Sequence, residues 1–114
     1  MQEMNFRLSL STIVFSMDMD RLMFITIEKK YNSNVMVIVK DLTQREAPAE
    51  IYKEIKETGT EVTYLINNAG FGGRGKFHER SWEKDLAMIN LNIVALTALT
   101  RLFLPDFVKR NNGK

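Results

Sequence analysis

The sequence contains no cysteine and a single histidine, His78. The absence of cysteine excludes a disulfide framework, a thiolate zinc site and a cysteine nucleophile. A single histidine also excludes a histidine-based metal cluster. We therefore predict no metal site, and we interpret His78 as a surface residue of a loop.

The sequence also has no large excess of positive or negative charge. The formal net charge is +2 at pH 7, because 16 Lys and Arg residues are balanced by 14 Asp and Glu residues that alternate with them. A nucleic-acid-binding protein would concentrate positive charge on one stretch or face. We therefore expect no nucleic acid among the partners.

The amino-terminal segment offers neither a membrane span nor a signal peptide. Its apolar stretch Leu8–Phe15 is far shorter than the roughly 20 residues that a transmembrane helix needs. Signal peptides begin with basic residues and end in a small-residue cleavage motif, whereas here Glu3 precedes Arg7 and no such motif follows. We therefore expect no membrane partner and a cytoplasmic location.

The composition is that of a folded globular domain. Hydrophobic residues make up 45% of the chain and charged residues 26%, which is the usual balance for such domains. At 114 residues the chain is long enough for one modest core and too short for two domains. We therefore treat residues 1–114 as one domain or part of one.

Two runs rich in β-branched residues predict strands that are covered on both faces by helices. The first run is Val35–Val39 and the second is Val62–Ile66. Residues 1–17 show only a weak alternation of apolar and polar side chains. We interpret those residues as a weak strand or a loose end.

The first two predicted helices have recognisable ends. Asp18 and Asp20 are candidate caps for a helix that runs through Tyr31. Proline is tolerated only near a helix start, so the next helix is expected to begin within a residue or two of Pro48. Gly59 is expected to end it as a left-handed cap.

The third predicted helix is the longest. Ser81 is a plausible cap for it, and Pro105 is expected to kink or end it. In the second predicted helix, the one that begins near Pro48, Ile51 and Ile55 mark the side that is expected to be buried. The resulting order of helix, strand, helix, strand, helix predicts an α/β fold whose parallel sheet is wrapped by crossover helices.

A glycine-rich motif matches the dinucleotide fingerprint G-x-G-x-x-G in its letters only. It is Gly70–Gly75, which reads G-F-G-G-R-G. In the fingerprint the third glycine opens a helix, and an acidic residue follows about 20 positions later at the end of a strand. Here Lys76–Arg80 separate Gly75 from the helix, and Ala95 lies within that helix. We therefore interpret the motif as a flexible connector.

A second motif, Y-x-x-x-K, is formed by Tyr52 and Lys56. This spacing places a phenol and an ammonium group on one helix face, where the cation would lower the pKa of the tyrosine. The pair precedes the second strand, and the neighbouring Lys53 and Glu54 are charged. We therefore interpret this segment as a solvated helix face.

The stretch Leu65–Gly70 reads L-I-N-N-A-G and resembles the N-N-A-G signature of the short-chain dehydrogenase/reductase superfamily. Asp41–Thr43 stand where that family places an Asp-Leu pair after its third strand. Trp82, Leu91–Asn92 and Leu104–Pro105 fall in its long helix. The resemblance covers residues 34–114 and implies a partial Rossmann-type parallel sheet with flanking helices.

The resemblance implies cofactor-binding residues at two strand ends. Asp41, with the adjacent Leu42, corresponds to the position where a carboxylate accepts a hydrogen bond from the adenine amino group. A turn-forming Asp is equally consistent with the sequence. The turn that contains Asn68, Ala69 and Gly70 is expected to steady the sheet and contact the adenosine ribose.

The resemblance also implies one catalytic residue, Asn92. It corresponds to a helix asparagine that the family associates with a bound water in a proton relay to the catalytic lysine. Asn90 is the alternative, although the distance to Pro105 favours Asn92. Asparagine is a poor helix former, which adds weight to a functional role in mid-helix.

Other parts of the family pattern are missing. Nothing before Asn34 matches the T-G-x-x-x-G-x-G loop, and no catalytic serine or Tyr-x-x-x-Lys pair follows Asn92. The resemblance therefore implies a fragment of an oxidoreductase that transfers hydride between a carbonyl/alcohol pair and NAD or NADP, and we expect it to be inactive alone. As a hypothesis, Met1–Phe15 supplies a replacement for a missing strand.

Two alternatives to the oxidoreductase fragment remain. The first is a non-catalytic protein that forms a homo-oligomer, or binds a complementing chain, through the long helix at residues 81–109. The second is a small nucleotide-binding domain, which would need a phosphate loop that the sequence lacks.

Overall fold

A two-stranded parallel sheet lies in the part of the chain that the computed structural model describes, which is residues 12–15, 26, 28–30, 32 and 35–114. Strand β1 (Thr12–Phe15) pairs with strand β2 (Tyr64–Asn67). The parallel pairing agrees with the predicted α/β class. Because β1 lies inside Met1–Phe15, this segment does contain a strand, and its role as a replacement for a missing family strand stays a prediction.

The opposite edge of β2 is bonded by Lys114. The backbone N–H of Leu65 donates to the carbonyl of Lys114 at 2.8 Å, and the N–H of Lys114 donates to the carbonyl of Thr63 at 2.9 Å. A residue that bonds to two positions spaced two apart on its neighbour forms a parallel ladder. Strand β2 therefore lies between β1 and Lys114.

The buried strand predicted at Val35–Val39 is not formed, so that prediction is wrong. Val39 is 87% exposed, and Met36 and Val37 are exposed too. A strand exists only through hydrogen bonds to a neighbouring strand, and within the described residues none pairs with this segment. Ile38 still packs against the core, so the segment covers the core without regular secondary structure.

The predicted helices before β2 are described to different extents. Thr26 and residues 28–30 are helical, whereas the candidate caps Asp18 and Asp20 lie outside the described residues. Helix α1 (Ala47–Glu57) has proline in its first turn, and Gly59 follows it with a φ of +71°. Both predicted ends of this helix are thus confirmed.

A continuous helical segment follows the glycine-rich loop. It consists of α2 (Trp82–Ile89), a π-helical segment (Asn90–Ala95) and α3 (Leu96–Arg110). Ser81 is its N-cap residue as predicted, but the Ser81 hydroxyl donates to the Glu83 carboxylate at 2.6 Å instead of capping a backbone N–H. The sequence analysis did not predict the π-helical segment.

Pro105 does not end the helix, so that part of the prediction is wrong. It lies inside α3, which continues to Arg110 and stops at Asn111 in a left-handed conformation. Proline removes one backbone hydrogen bond and crowds the preceding turn. Burial of Phe103 and partial burial of Phe107 on either side of Pro105 offset that cost.

Residues Trp82–Arg110 are long and apolar enough, by length and composition, to cross a membrane. Only 22% of the most apolar 18-residue stretch of this segment is buried inside the protein. The core helix of a soluble protein meets the same criterion. The expectation of no membrane partner therefore stays a prediction.

The core lies where α1 and α3 pack against each other and against the start of β2. Its fully buried members come from those three regions, and they are Ile51, Ile55, Val62, Leu99 and Phe103. The predicted buried side of α1 is therefore confirmed. Burial of each such side chain stabilises the fold by about 1.5–3 kcal/mol.

A polar cluster lies at one edge of the contact between α1 and α3. The Tyr52 hydroxyl donates to Asp106 Oδ2 at 3.0 Å, and Lys56 Nζ lies 3.2 Å from the same oxygen. The Tyr52 ring also meets the Phe103 ring edge to face, with 5.0 Å between centroids. Tyr52 is therefore partly buried against the core, which corrects the interpretation of a solvated face for that residue, whereas Lys56, with half of its side chain exposed, does lie at the surface.

This cluster shifts two pKa values. Burial raises the pKa of Asp106, but hydrogen bonds from Tyr52 and Lys56 and the charges of Lys56 and Arg110 outweigh burial, so the net pKa lies below its usual value. Burial and the hydrogen bond to Asp106 raise the pKa of Tyr52. The stabilising contribution of Asp106 is present above about pH 3.9 and is lost as the pH falls through its lower folded-state pKa.

We predict that Asp106→Asn lowers the stability of the chain more at pH 7 than at about pH 2, because the contribution of the native carboxylate is lost as the pH falls through its lowered pKa. At neutral pH the substitution removes a charged acceptor that two side chains share. The urea midpoint followed by circular dichroism at both pH values measures the difference. Glu54→Gln, on an exposed position of α1, is the control, and equal losses for Asp106→Asn at both pH values would contradict the prediction.

Candidate functional site

The signature turn begins at the last residue of β2. The Asn67 side-chain amide donates to the Thr100 hydroxyl at 3.2 Å, and that hydroxyl donates to the carbonyl of Leu96 at 2.8 Å. Asn67 is thereby tied to the first turns of α3. The next residue, Asn68, is exposed, so its side chain is the more accessible of the two signature asparagines.

Asn92 holds the signature turn against the π-helical segment. Its Oδ1 accepts a hydrogen bond from the N–H of Phe71 at 3.1 Å, and its Nδ2 donates to the carbonyl of Phe71 at 2.8 Å. A Cβ atom on Gly70 would lie 3.1 Å from Asn92 Oδ1. Glycine at position 70 therefore allows the close approach that this paired contact needs.

The π-helical segment gives Asn92 its position. Leu91 and Ala95 of the same segment are buried. Asn92, in contrast, is exposed and contacts the loop at Phe71. Single π-helical turns occur frequently at functional sites because they re-aim side chains. Both amide atoms of Asn92 are engaged by Phe71, so the structure shows a positioning contact, and the role in a proton relay stays a prediction.

Asp41 adopts the turn-forming arrangement. Its Oδ1 accepts hydrogen bonds from the hydroxyl and the N–H of Thr43, at 2.7 and 2.9 Å, and its Oδ2 accepts one from the Gln44 side chain at 3.3 Å. The Thr43 hydroxyl, the Thr43 N–H and Gln44 lower the pKa of Asp41 in that order. Leu42 packs partly buried against the core. Contact of Asp41 and Leu42 with adenine stays a prediction.

Arg80 packs against the glycine-rich motif. Its guanidinium lies against Gly73, where a Cβ atom would overlap it, and donates to the carbonyl of Arg74 at 3.2 Å. Gly75 has a φ of +123°, a conformation that favours glycine. A phosphate loop leads directly into a helix N-terminus, whereas here a 3₁₀ turn at Phe77–Glu79 separates Gly75 from the start of α2. This geometry supports our rejection of the fingerprint.

The residues present suit only one part of a nicotinamide dinucleotide. Asn68 is exposed at the carboxyl end of β2, and Ala69 and Gly70 add no bulky side chain there, which is the edge where parallel sheets bind ligands. Within the described part of the chain, no open glycine loop is available for the pyrophosphate. The fit is therefore restricted to the adenosine side that the signature implies.

A family model described as short chain dehydrogenase matches residues 8–114. The chain belongs to the short-chain dehydrogenase family. The match includes the signature at Leu65–Gly70 and the helix that carries Asn92. It therefore confirms the resemblance drawn from these motifs.

Curated relatives agree with this assignment. Dehydrogenase RED3 of Cochliobolus heterostrophus is 34% identical over 80 residues, which make up 70% of this chain and 41% of that protein. The NADP-dependent 3-hydroxy acid dehydrogenase of Schizosaccharomyces pombe is 27% identical over 88 residues, or 76% of this chain and 34% of that protein. The chain thus spans less than half the length of these relatives.

Solved structures of the family share the fold. The short-chain dehydrogenase of Sphingobium yanoikuyae in complex with NADPH gives a TM-score of 0.72 at 28% identity, over 81% of this chain and 36% of that one. The bulky-bulky ketone specific alcohol dehydrogenase of Comamonas testosteroni gives 0.72 at 27% identity with the same shares. These similarities confirm a Rossmann-type fold.

The sequence-based search for site residues missed Arg80 and Asp85. Asp85 is the buried charged residue of the described chain, and it precedes the buried positions Leu91, Ala95 and Leu99 on the same continuous helix. A buried carboxylate needs a partner cation. The sequence offers Arg80 and Lys84 nearby, and only the structure shows that the partner is Arg80.

We predict that Asn92→Ala lowers the free energy of unfolding by about 1–2 kcal/mol relative to Asn90→Ala, because it removes two hydrogen bonds to the loop backbone. Both substitutions replace a poor helix former by alanine, so the gain in helix propensity cancels in the comparison. Urea unfolding measures the difference, and the amide resonance of Phe71 should move only in Asn92→Ala. Equal stabilities would show that the contact contributes nothing.

Proposed function

We propose that this chain supplies the adenosine-side turn and the long helix of an NAD(P)-dependent oxidoreductase that interconverts a carbonyl and an alcohol. The observation that carries the proposal is the paired contact between Asn92 and Phe71. It joins the Asn-Asn-Ala-Gly signature to the helix asparagine, so two separate motifs of the family meet at one edge of the sheet. The family match and the NADPH complex of a relative support the same conclusion.

In this proposal each residue at the edge has a limited task. Asn68 and the backbone of Ala69 contact the adenosine portion, and Asn92 holds the turn in place. The dinucleotide, when bound, supplies or accepts the hydride. The residues that move the proton in the family, a serine, a tyrosine and a lysine, have no counterpart after Asn92 in these 114 residues.

Tyr52 and Lys56 do not replace the missing pair. General acid/base catalysis by tyrosine at neutral pH needs a lowered pKa, whereas burial and Asp106 raise the pKa of Tyr52. The Tyr52 hydroxyl is also committed to Asp106 at the contact between α1 and α3. We therefore propose that the chain by itself does not catalyse the reaction.

We predict that NADPH and NADH bind the purified chain more weakly than about 100 μM, because the described residues offer no open glycine loop for the pyrophosphate; this corresponds to less than about 5.5 kcal/mol of binding free energy. Isothermal titration measures the affinity. At millimolar NADPH, amide resonances of residues 68–70 should shift, and Asn68→Ala should reduce the shift. Thr60→Ala, at the opposite end of β2, is the control. Tighter binding, or shifts confined to other residues, would overturn the proposal.

A second candidate function is self-association through the long helix. An apolar stripe with helical spacing runs along the first part of the long helix. All four of its residues are exposed, and they are Trp82 (62%), Leu86, Ile89 and Ile93 (59%). An apolar stripe of this kind marks an interaction surface. The candidate partner is a second copy of the chain, because two such stripes bury each other in an isologous contact.

We predict that the chain is a dimer at about 100 μM, a concentration well above the micromolar dissociation constants of ordinary transient contacts. Ile93→Lys should convert it to a monomer, because a charge is then placed inside the contact. Sizing with light scattering gives the mass of each species. Val39→Lys is the control, since Val39 is 87% exposed and lies outside the helix. A monomeric native chain would contradict this candidate function.

A further inference from the structure

A buried ion pair lies between the glycine-rich loop and the start of α2. Arg80 Nε donates to Asp85 Oδ1 at 2.7 Å, and a second guanidinium nitrogen donates to the same oxygen. The Arg80 side chain is 16% exposed and that of Asp85 is 8% exposed. Charges are buried only when they are paired, because desolvation of an isolated charge is costly. The position of Arg80 is therefore determined by Asp85.

Arg80 in turn touches the loop at three successive residues. Its guanidinium lies on Gly73 and donates to the carbonyl of Arg74, and its aliphatic part faces Gly75. The guanidinium fills the space at Gly73, so a side chain at this position requires the guanidinium to move. Gly72, one residue earlier, has nothing within 4 Å of an added Cβ atom. The guanidinium of Arg80 therefore packs against Gly73 and not against Gly72.

We propose that Arg80 and Asp85 are positioning residues that hold the loop Gly70–Lys76 in one conformation next to the signature turn. Asn92 fixes the start of the loop through Phe71, and Arg80 fixes its end through Arg74. The loop is therefore tied to the helical segment at both ends. The proposal rests on the proposed function only in taking the signature turn as the cofactor side, from which this loop leads away.

Another ion pair in the same region provides a contrast. Lys76 and Glu79 are 3.3 Å apart, but their side chains are 73% and 58% exposed. Exposed pairs of this kind contribute little, because water screens them and two long side chains must be ordered. We therefore assign the positioning role to the buried pair, and Lys76→Met serves as the matched control for Arg80→Met.

The test is the rate at which trypsin cleaves the chain after Arg74, followed by mass spectrometry. Proteolysis of a loop tracks the population of its open form when opening is fast relative to cleavage. Arg80→Met and Asp85→Asn should each raise this rate by about tenfold or more. Lys76→Met should leave it within about twofold. Native rates in both Arg80→Met and Asp85→Asn, or an equal rise in Lys76→Met, would overturn the proposal.

A pair of glycine variants tests the same contact without removing a charge. Gly73→Ala forces the guanidinium away and should raise cleavage after Arg74, whereas Gly72→Ala should not. In an Arg80→Met background, Gly73→Ala should add at most about twofold, because the clash is already gone and the two changes are coupled. Independent, multiplicative effects would show a general loss of stability instead and would overturn the positioning role.

If Arg80→Met or Asp85→Asn does not fold, as judged by circular dichroism, the comparison of Gly73→Ala with Gly72→Ala still tests the positioning role of Arg80. Equal cleavage of Gly73→Ala and Gly72→Ala would then overturn the proposal. The cleavage assay contains no dinucleotide. Its outcome is therefore separate from the NADPH titration, and failure of one proposal is distinguishable from failure of the other.

Discussion

The packing of α3 against α1 and the start of β2 is the contact on which the rest of the described structure depends. Leu99 and Phe103 are the most deeply buried large side chains, and they meet Ile51, Ile55 and Val62 there. Removal of apolar surface from water is the main favourable term in folding. Because α3 is continuous with α2 through the π-helical segment, this one contact also fixes where Asn92 and Asp85 lie.

Polar contacts then arrange the loops around that helix. Asp106 joins α3 to Tyr52 and Lys56 of α1, Asn92 joins the π-helical segment to Phe71, and Asp85 joins α2 to the loop through Arg80. Each contact links residues from different elements. The helix therefore acts as a scaffold along which the signature turn and the glycine-rich loop are placed at defined positions.

Several features followed from the sequence because their causes are local. Pro48 and Gly59 set the ends of α1 through their own backbone preferences. The Asn-Asn-Ala-Gly signature at the end of β2 was sufficient to identify the family, which the match over residues 8–114 confirms. Asn92 was selected by its place in the family pattern, and the structure brings it to the signature turn.

Tertiary structure decided the features that need a partner distant in sequence. Val35–Val39 has the composition of a buried strand, but a strand also needs a neighbour, and none of the described residues pairs with this segment. Pro105 stays within α3 because burial of the surrounding aromatic residues outweighs its local preference. The interpretation of Tyr52 as solvated was wrong for the same reason, since Asp106 lies 54 positions away in sequence.

The sequence by itself thus determined the family, the α/β class and the ends of α1, because local preferences and a specific signature encode them. Only the tertiary structure decided which strand pairs with β2, where Asn92 makes its contacts, and that Arg80 closes the glycine-rich loop. The physical reason is that hydrogen bonds and desolvated ion pairs between distant residues form only when the core has brought those residues together.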